Sequence, residues 1–93
     1  MTDTLLRLYV TGRTPSAERA IAALTALADE TPITLQVIDV LDHPEAAMRD
    51  QVFATPTVIR VKPGPTRRVF GDLSSKEMLQ VGLQLFEDPD VAA

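Results

Sequence analysis

The stretch ATPTVIRV, residues 54–61, places a proline directly in front of a predicted β-strand. Proline lacks a backbone N–H and is tolerated in a sheet at the start of a strand, so Pro56 marks where this strand begins. Residues 57–62 carry mostly β-branched and apolar side chains, which favour a strand. The following KPGPT predicts a turn into an antiparallel strand at residues 67–70. The stretch therefore predicts a β-hairpin in the second half of the chain.

The first half of the chain predicts a β-α-β unit. Apolar and other side chains alternate through residues 6–10, which indicates a strand. Thr14 supplies an N-cap and Pro15 a first helical residue for a helix that continues to about Asp29. Alternation returns at residues 33–40 and predicts a second strand. Two strands joined by an amphipathic helix form a unit whose crossover is right-handed.

Two further helices are predicted from capping patterns. Asp42 and Glu45 form a possible capping box for a short helix that reaches Val52. Ser74 and Glu77 form a second box before the final helix. The predicted apolar face of that helix consists of Met78, Leu79, Gly82, Leu83 and Phe86.

The predicted order of elements is β-α-β-α-β-β-α, which is the arrangement of a minimal thioredoxin-like domain. The 93 residues form one α/β domain, with an ordered core at about residues 5–87 and an acidic tail at residues 88–93. In this topology the second strand lies at an edge of the sheet. Its Thr34 and Gln36 leave it available for pairing with a strand of a partner.

The segment VGLQLFE, residues 81–87, allows two interpretations. It alternates as a strand would, and Gly82 inside the predicted helix costs about 1 kcal/mol relative to alanine. Gly82 either allows close packing of a helix on the sheet, or it reports exchange between two conformations. The pattern alone leaves both open.

Composition excludes several functions. The chain contains no cysteine, which removes disulfides, thiolate metal sites and thiol catalysis. Its net charge of −4 argues against nucleic-acid binding. We expect a cytoplasmic protein, because the sequence shows neither a signal peptide nor an apolar run that could cross a membrane.

No residue pattern predicts catalysis, a metal or a cofactor. Thr14 and Ser16 have no histidine nearby to activate them, so we interpret them as helix caps. His43, the only histidine, is interpreted as a solvated residue at a helix start. Glu45 and Asp50 are expected to be exposed. A glutathione-transferase-like activity is disfavoured, since the chain lacks the second helical domain of such enzymes.

One concentration of positive charge lies on the predicted hairpin. Arg67 and Arg68 face Arg60 and Lys62 across it. On an acidic protein, such a cluster is either a solvated strand face or a surface that steers an acidic partner.

Four segments together resemble one family. They are LRLYVTGRTPSAERAIAAL at 6–24, LQVIDVLDHPEAA at 35–47, ATPTVIRV at 54–61 and PTRRVFGDLSSKEMLQVGL at 65–83. In order and spacing they resemble the KaiB family of circadian clock proteins, and the resemblance extends from Leu5 to Glu87. The resemblance implies a non-enzymatic, cofactor-free protein that binds the ATPase ring of KaiC, captures KaiA and competes with the sensor domain of the SasA histidine kinase.

The resemblance also implies a change of fold. In the free oligomer, a dimer or tetramer, the order becomes β-α-β-β-α-α-β, whereas the thioredoxin-like form binds the partner. A cis bond is expected between Thr55 and Pro56. The residues implied for switching or for structure are Pro56, Pro63, Pro65, Gly71, Asp72 and Gly82.

The resemblance implies partner contacts at Arg19, Gln36, Gln51, Arg60, Arg67 and Arg68. Gln36 and Gln51 stand where the family has lysines, and Gln84 stands where an acid is usual. These lost charges leave a second hypothesis open, an adaptor or sensor module that binds a histidine kinase or a stress-response partner without a clock function.

Overall fold

The computed structural model describes residues 4–85, in which four strands and three helices follow one another in the predicted order. The strands are β1 (Thr4–Val10), β2 (Ile33–Asp39), β3 (Thr57–Lys62) and β4 (Arg67–Phe70). The helices are α1 (Pro15–Glu30), α2 (Pro44–Arg49) and α3 (Lys76–Gly82). The predicted bounds of the β3–β4 hairpin are confirmed. The predictions for Phe86, for Glu87 and for the acidic tail lie outside the described residues.

The strands form one sheet in the order β2-β1-β3-β4. β1 pairs with β2 in parallel and with β3 antiparallel, while β3 and β4 form the antiparallel hairpin. The prediction that β2 is an edge strand is confirmed, and β4 forms the opposite edge. The interior strands β1 and β3 are therefore hydrogen-bonded to a neighbouring strand on both sides, and β1 is called the central strand below.

Each face of the sheet carries its own apolar cluster. Leu6, Leu8 and Val10 of β1 pack on one face with residues of α1 and α3. Tyr9 of β1 points to the other face and packs with Ala46 of α2. Because side chains alternate along a strand, one strand serves both clusters. This arrangement places α1 and α3 on one face and α2 on the other.

The start of α1 is as predicted, whereas the start of α2 is different. The Thr14 hydroxyl accepts a hydrogen bond from the Ala17 N–H at 3.1 Å, as an N-cap does. The proposed capping box of Asp42 and Glu45 is wrong, because His43 is the N-cap residue of α2 and its side chain makes no capping bond. Asp42 instead belongs to the preceding turn, where its N–H bonds to the Asp39 carbonyl. The helix also ends before Val52, at Arg49.

The start of α3 lies one residue later than predicted. The Ser75 hydroxyl accepts from the Met78 N–H at 3.2 Å, so Ser75 is the N-cap and not Ser74. Ser74 bonds to the Asp72 carboxylate instead. Met78 was placed on the apolar face but is 65% exposed, while Leu79 and Leu83 are buried as predicted. Leu79 and Leu83 are four residues apart and share the packed face of α3, so Met78, one position before Leu79, lies to the side of that face.

Gly82 packs closely on the hairpin. A Cβ atom at this position would lie 2.6 Å from the Val69 Cγ2 atom of β4. The close-packing interpretation of Gly82 is therefore confirmed for this arrangement, and conformational exchange stays a prediction. The expected cis bond between Thr55 and Pro56 is present, and the bonds before Pro63 and Pro65 are cis as well.

Candidate functional site

Arg60 lies inside the protein and not on an exposed strand face. Its side chain points from β3 toward the end of α3 and the residue is only 6% exposed. One guanidinium nitrogen, Nη1, donates to the carbonyls of Leu83 and Gln84 at 3.0 Å. The other, Nη2, donates to the Pro65 carbonyl at 2.9 Å. The predicted surface cluster is thus wrong for Arg60, because the sequence pattern does not show that the chain end returns to cover this position.

Burial has an electrostatic cost at Arg60. Nε has no hydrogen-bond partner among the described residues. Burial lowers the pKa of the guanidinium, and the charge of Arg67, its neighbour across the hairpin, lowers it further. Three carbonyl groups compensate for the lost water, but no carboxylate bonded to this guanidinium is found among the described residues.

Arg68 makes a similar contact on the other face of the sheet. Its guanidinium donates to the Asp50 carbonyl at 2.9 Å and to the Gln51 carbonyl at 3.0 Å. These carbonyls lie at the end of α2. Arg68 remains exposed, and so does Arg67, so the predicted exposed face is confirmed for these two residues.

The Asp50 carboxylate joins the end of α2 to the sheet. It accepts a hydrogen bond from Arg7 at 3.0 Å and another from the Tyr9 hydroxyl, both on β1. Arg7 also donates from Nε to the Gln36 side chain on β2 at 3.1 Å. The network therefore connects the β2 edge, the central strand and α2.

The pKa shifts in this network follow from burial and pairing. Burial acts to raise the pKa of Asp50, but the hydrogen bonds from Tyr9 and Arg7 and the positive charge of Arg7 outweigh it, so the pKa is lowered overall. Burial and the bond to Asp50 raise the pKa of Tyr9. Asp50 was expected to be exposed, and that expectation is wrong. Nothing in the sequence pattern pairs Asp50 with a strand 43 positions away.

A surface depression lies beside this network. Gln51 and Arg68 border both of its parts. The first part, the apolar groove, has a volume of about 390 Å³ and is also lined by Phe53 and Phe70. The second part, the basic cleft, has a volume of about 330 Å³ and includes Arg49.

The groove exposes large apolar side chains. Phe53 is 93% exposed and Phe70 is 67% exposed. Met48, on the neighbouring helix α2, is 79% exposed. The predicted site residues did not include Phe53 or Phe70, although Phe53 directly precedes the ATPT motif and an apolar side chain at an exposed loop would have been the available signal.

The other predicted residues lie apart from this depression. Arg19 is exposed on α1. The pKa of Asp72 is lowered, first by the hydrogen bonds that Ser74 donates to it and to a smaller extent by the charge of Arg19. Gly71 follows β4 with φ at +101°, and its N–H donates to the Pro56 carbonyl at 3.3 Å. Pro63 and Pro65 are exposed in the hairpin turn.

The described residues show no arrangement typical of a metal centre. Residues 4–85 contain no group of three or more histidine, cysteine, aspartate and glutamate side chains that could hold a metal ion. His43 is exposed and lies 3.6 Å from a Glu45 carboxylate oxygen. Within the same part of the chain, no helix is long and apolar enough to cross a membrane.

Comparison with solved structures supports the predicted fold. The N-terminal domain of SasA from Synechococcus elongatus aligns with a TM-score of 0.73 and 26% identity, over 95% of this chain and 90% of that one. A mutant thioredoxin from Halobacterium salinarum aligns with a TM-score of 0.78 and 20% identity, over 92% of this chain and 76% of that one. The thioredoxin-like fold is confirmed.

Comparison with protein sequences shows the family. The model of the KaiB domain matches residues 7–85. The circadian clock oscillator protein KaiB of Gloeothece citriformis is 41% identical over 87 residues, covering 90% of this chain and 82% of that protein. The protein of the same name from Thermosynechococcus vestitus is 43% identical over 84 residues, covering 87% and 78%. The chain belongs to the KaiB family.

Proposed function

We propose that this protein is a non-enzymatic regulator of the circadian-clock type, which binds a KaiC-like ATPase ring in its thioredoxin-like form and modulates the phosphorylation or output of that ATPase. Family membership supports the clock role, because the relatives are named as circadian clock oscillator proteins. The cysteine-free chain supports a binding function over a redox one, since thioredoxin chemistry requires a thiolate.

We define the docking surface as the apolar groove together with the basic cleft. Of the described surfaces, it is the one that best supports binding of a protein partner. The single observation that carries the proposal is the exposure of Phe53 and Phe70 in a groove that Arg68 also lines. Aromatic and arginine side chains supply most of the binding energy in protein interfaces, above all where they are grouped and become desolvated. Isolated exposed apolar residues need no explanation, but two phenylalanines lining one groove indicate an interface.

Charge supports an acidic partner surface. Arg49, Arg68 and Arg7 lie in or beside the cleft on a protein whose net charge is −4. Arginines at the rim of an interface raise the association rate with an acidic partner, and added salt screens this effect. We propose that Gln51 and Arg68 contact the ATPase here. Arg67, which pairs with Arg60 and lies on the opposite face of the hairpin, is proposed as a separate contact.

A second contact is proposed at the β2 edge. Gln36 is exposed on this strand, whose outer side has no neighbouring strand in the described sheet. Such an edge offers backbone groups to a strand of a KaiA-like protein or of a SasA-like kinase. Similarity to the SasA N-terminal domain supports competition between two like-folded domains for one ATPase. Arg19, which is exposed on α1, is a further proposed contact.

We propose that the free protein also forms a dimer or tetramer in the alternative β-α-β-β-α-α-β arrangement. The residues of the switching half are Pro56, Pro63, Pro65, Gly71, Asp72 and Gly82. Binding would then draw on the fraction of chains that has the thioredoxin-like fold, and the apparent affinity falls in proportion to that fraction.

Size-exclusion chromatography with light scattering tests the proposal. The protein is measured alone, and then after short and long incubation with a KaiC-type hexamer and ATP. We expect a free oligomer, and a complex whose amount increases slowly with incubation. A protein that runs as a monomer and never elutes with the hexamer would contradict the clock function and favour the adaptor hypothesis. Immediate and complete binding by a monomer would contradict only the change of fold.

A further inference from the structure

The two helices that follow β2 end with the same turn. At α2, the Gln51 N–H donates to the Met48 carbonyl and the Val52 N–H donates to the Ala47 carbonyl, at 3.1 and 2.9 Å. This pair of bonds defines a Schellman motif, in which the residue after the C-cap adopts a left-handed conformation. Gln51 has the required φ of +57°.

The end of α3 repeats this pattern. The Gln84 N–H donates to the Val81 carbonyl at 3.2 Å, and the Leu85 N–H donates to the Gln80 carbonyl at 2.9 Å. Gln84 has φ at +53°. Glycine is the usual residue at this position because a side chain disfavours left-handed backbone, and glutamine has no compensating local bond to offer. Both turns are therefore strained in the same way.

Each strained turn is held by one arginine of the β3–β4 hairpin. Arg68 donates to the carbonyls of Asp50 and Gln51, the C-cap residue of α2 and its strained neighbour. Arg60 donates to the carbonyls of Leu83 and Gln84, which occupy the same two positions at α3. The two arginines come from adjacent strands and act on opposite faces of the sheet.

The chemistry of a helix end explains why this contact stabilises the turns. The last carbonyls of a helix have no partner within the helix and carry partial negative charge. A guanidinium matches this position, because its planar fork reaches two carbonyl oxygens at once while its charge complements the helix dipole. At Arg60 the contact persists even though Nε has no partner among the described residues.

We propose that Arg60 and Arg68 are positioning residues, and that through them the β3–β4 hairpin holds the ends of α3 and α2 in the thioredoxin-like arrangement. Arg60 acts on the last turn of α3 and Arg68 acts on the last turn of α2. The hairpin thus contacts both helix ends, each through one arginine. One consequence rests on the proposed function: Arg68 lines the docking surface and also holds the turn that carries Gln51, which lines the surface too.

Amide hydrogen exchange on the full-length protein tests the proposal, measured on its monomeric fraction, which is the thioredoxin-like form under the proposed function. The N–H groups of Leu85 and Val52 report on the two turns, and that of Leu8 reports on the central strand. We expect Arg60→Ala to speed exchange at Leu85 by roughly tenfold, the effect of losing hydrogen bonds to a charged group, and to leave Val52 unchanged. Arg68→Ala is expected to do the reverse. Arg67→Ala removes an arginine from the same hairpin and is the matched control, with no change at either turn.

Glycine variants separate positioning from general packing. Gln84→Gly removes the strain at α3 and is expected to restore slow exchange at Leu85 in the Arg60→Ala background, whereas Gln51→Gly is not. For Arg68→Ala, the roles of the two glycines are exchanged. The proposal would be overturned if either arginine variant speeds exchange at Leu8 as well as at both turns. It would also be overturned if Gln84→Gly and Gln51→Gly rescue each arginine variant equally well. Arg68 is exposed, so its half of the experiment remains decisive if Arg60→Ala does not fold.

The docking consequence has its own readout. If Arg68 positions the surface, Arg68→Ala weakens binding of a KaiC-type hexamer and speeds exchange at Val52 in the same variant. Weaker binding with unchanged exchange at Val52 would assign Arg68 to direct contact alone and overturn this consequence. If the wild-type protein binds no such hexamer, the proposed function fails, while the exchange results still decide whether the two arginines hold the helix ends.

Discussion

Arg7 on β1 and Asp50 at the end of α2 form an ion pair, with Nη1 and Oδ2 3.0 Å apart. Each side chain is 21% exposed, so solvent screens the pair less than it would at the open surface. The Tyr9 hydroxyl donates to the same carboxylate. Asp50 is thus the point at which the short helix α2 is attached to the sheet.

The stability of the protein should decrease in acid through this attachment. The folded protein lowers the pKa of Asp50 below its ordinary value of 3.8, so the stabilisation is complete above that value and is lost as the pH falls through the folded pKa. We expect Asp50→Asn to reduce the free energy of unfolding by about 1–3 kcal/mol at pH 7, and by less below pH ~3.5. Urea titrations at both pH values measure this difference.

Asp29→Asn is the matched control for that change. Asp29 is exposed near the end of α1, and its substitution removes an equal charge. We expect it to alter the free energy of unfolding by less than about 0.5 kcal/mol. A destabilisation by Asp50→Asn that is the same at both pH values would contradict the ion-pair argument.

The N-cap of α3 gives a prediction that separates two neighbouring serines. Ser75→Ala removes the hydroxyl that accepts from the Met78 N–H and should destabilise the protein by about 1 kcal/mol. Ser74→Ala leaves this bond intact and should cost less. Thermal unfolding of the two variants measures the order, and a larger loss for Ser74→Ala would place the cap at the position predicted from sequence.

Gly82 and Val69 should be energetically coupled. Alanine favours a helix over glycine by about 1 kcal/mol, but in this protein the new Cβ would lie 2.6 Å from the Val69 Cγ2. Gly82→Ala is therefore expected to gain about 1 kcal/mol more in a Val69→Ala background than in the wild type. A double-mutant cycle in urea measures the coupling, and equal effects in both backgrounds would show that the close approach has no energetic consequence.

The docking surface predicts a loss of binding without a loss of stability. Phe53→Ala and Phe70→Ala should each weaken binding of a KaiC-type hexamer by roughly tenfold or more, because exposed aromatic residues grouped in a groove contribute most when a partner covers them. The free energy of unfolding should change little for Phe53, which is 93% exposed. Binding is measured by fluorescence anisotropy with labelled protein.

Met78→Ala is the control for those two variants. Met78 is 65% exposed on α3, and α3 packs against the face of the sheet opposite to α2. We expect it to leave binding unchanged. If Met78→Ala weakens binding as much as Phe53→Ala does, the partner covers a different face and the proposed docking surface is wrong.

The order of elements and the hairpin bounds follow from local signals. Pro56 directly precedes β3, because proline cannot donate a hydrogen bond to a neighbouring strand, and alternation through β1 predicts the two faces of the sheet. The start of α1 was predictable for the same reason, since the Thr14 hydroxyl accepts from the N–H of Ala17, only three residues away. Ser75 was missed because the capping-box spacing to Glu77 favours Ser74, whereas in the folded chain the Ser74 hydroxyl bonds to the Asp72 carboxylate and Ser75 caps the helix.

The sequence by itself determined where the strands lie and which of their side chains alternate, because both depend on residues close together in the chain. It also determined the absence of thiol chemistry, which follows from composition. Only the tertiary structure decided what the charged residues do. Arg60 and Arg68 read alike in the sequence, yet one is buried against α3 and the other lies over the end of α2. Their partners are carbonyl groups 23 and 18 positions away, and backbone carbonyls are the same at every residue. A contact with a backbone carbonyl does not depend on the type of the accepting residue, so no sequence pattern predicts it and only the folded structure identifies it.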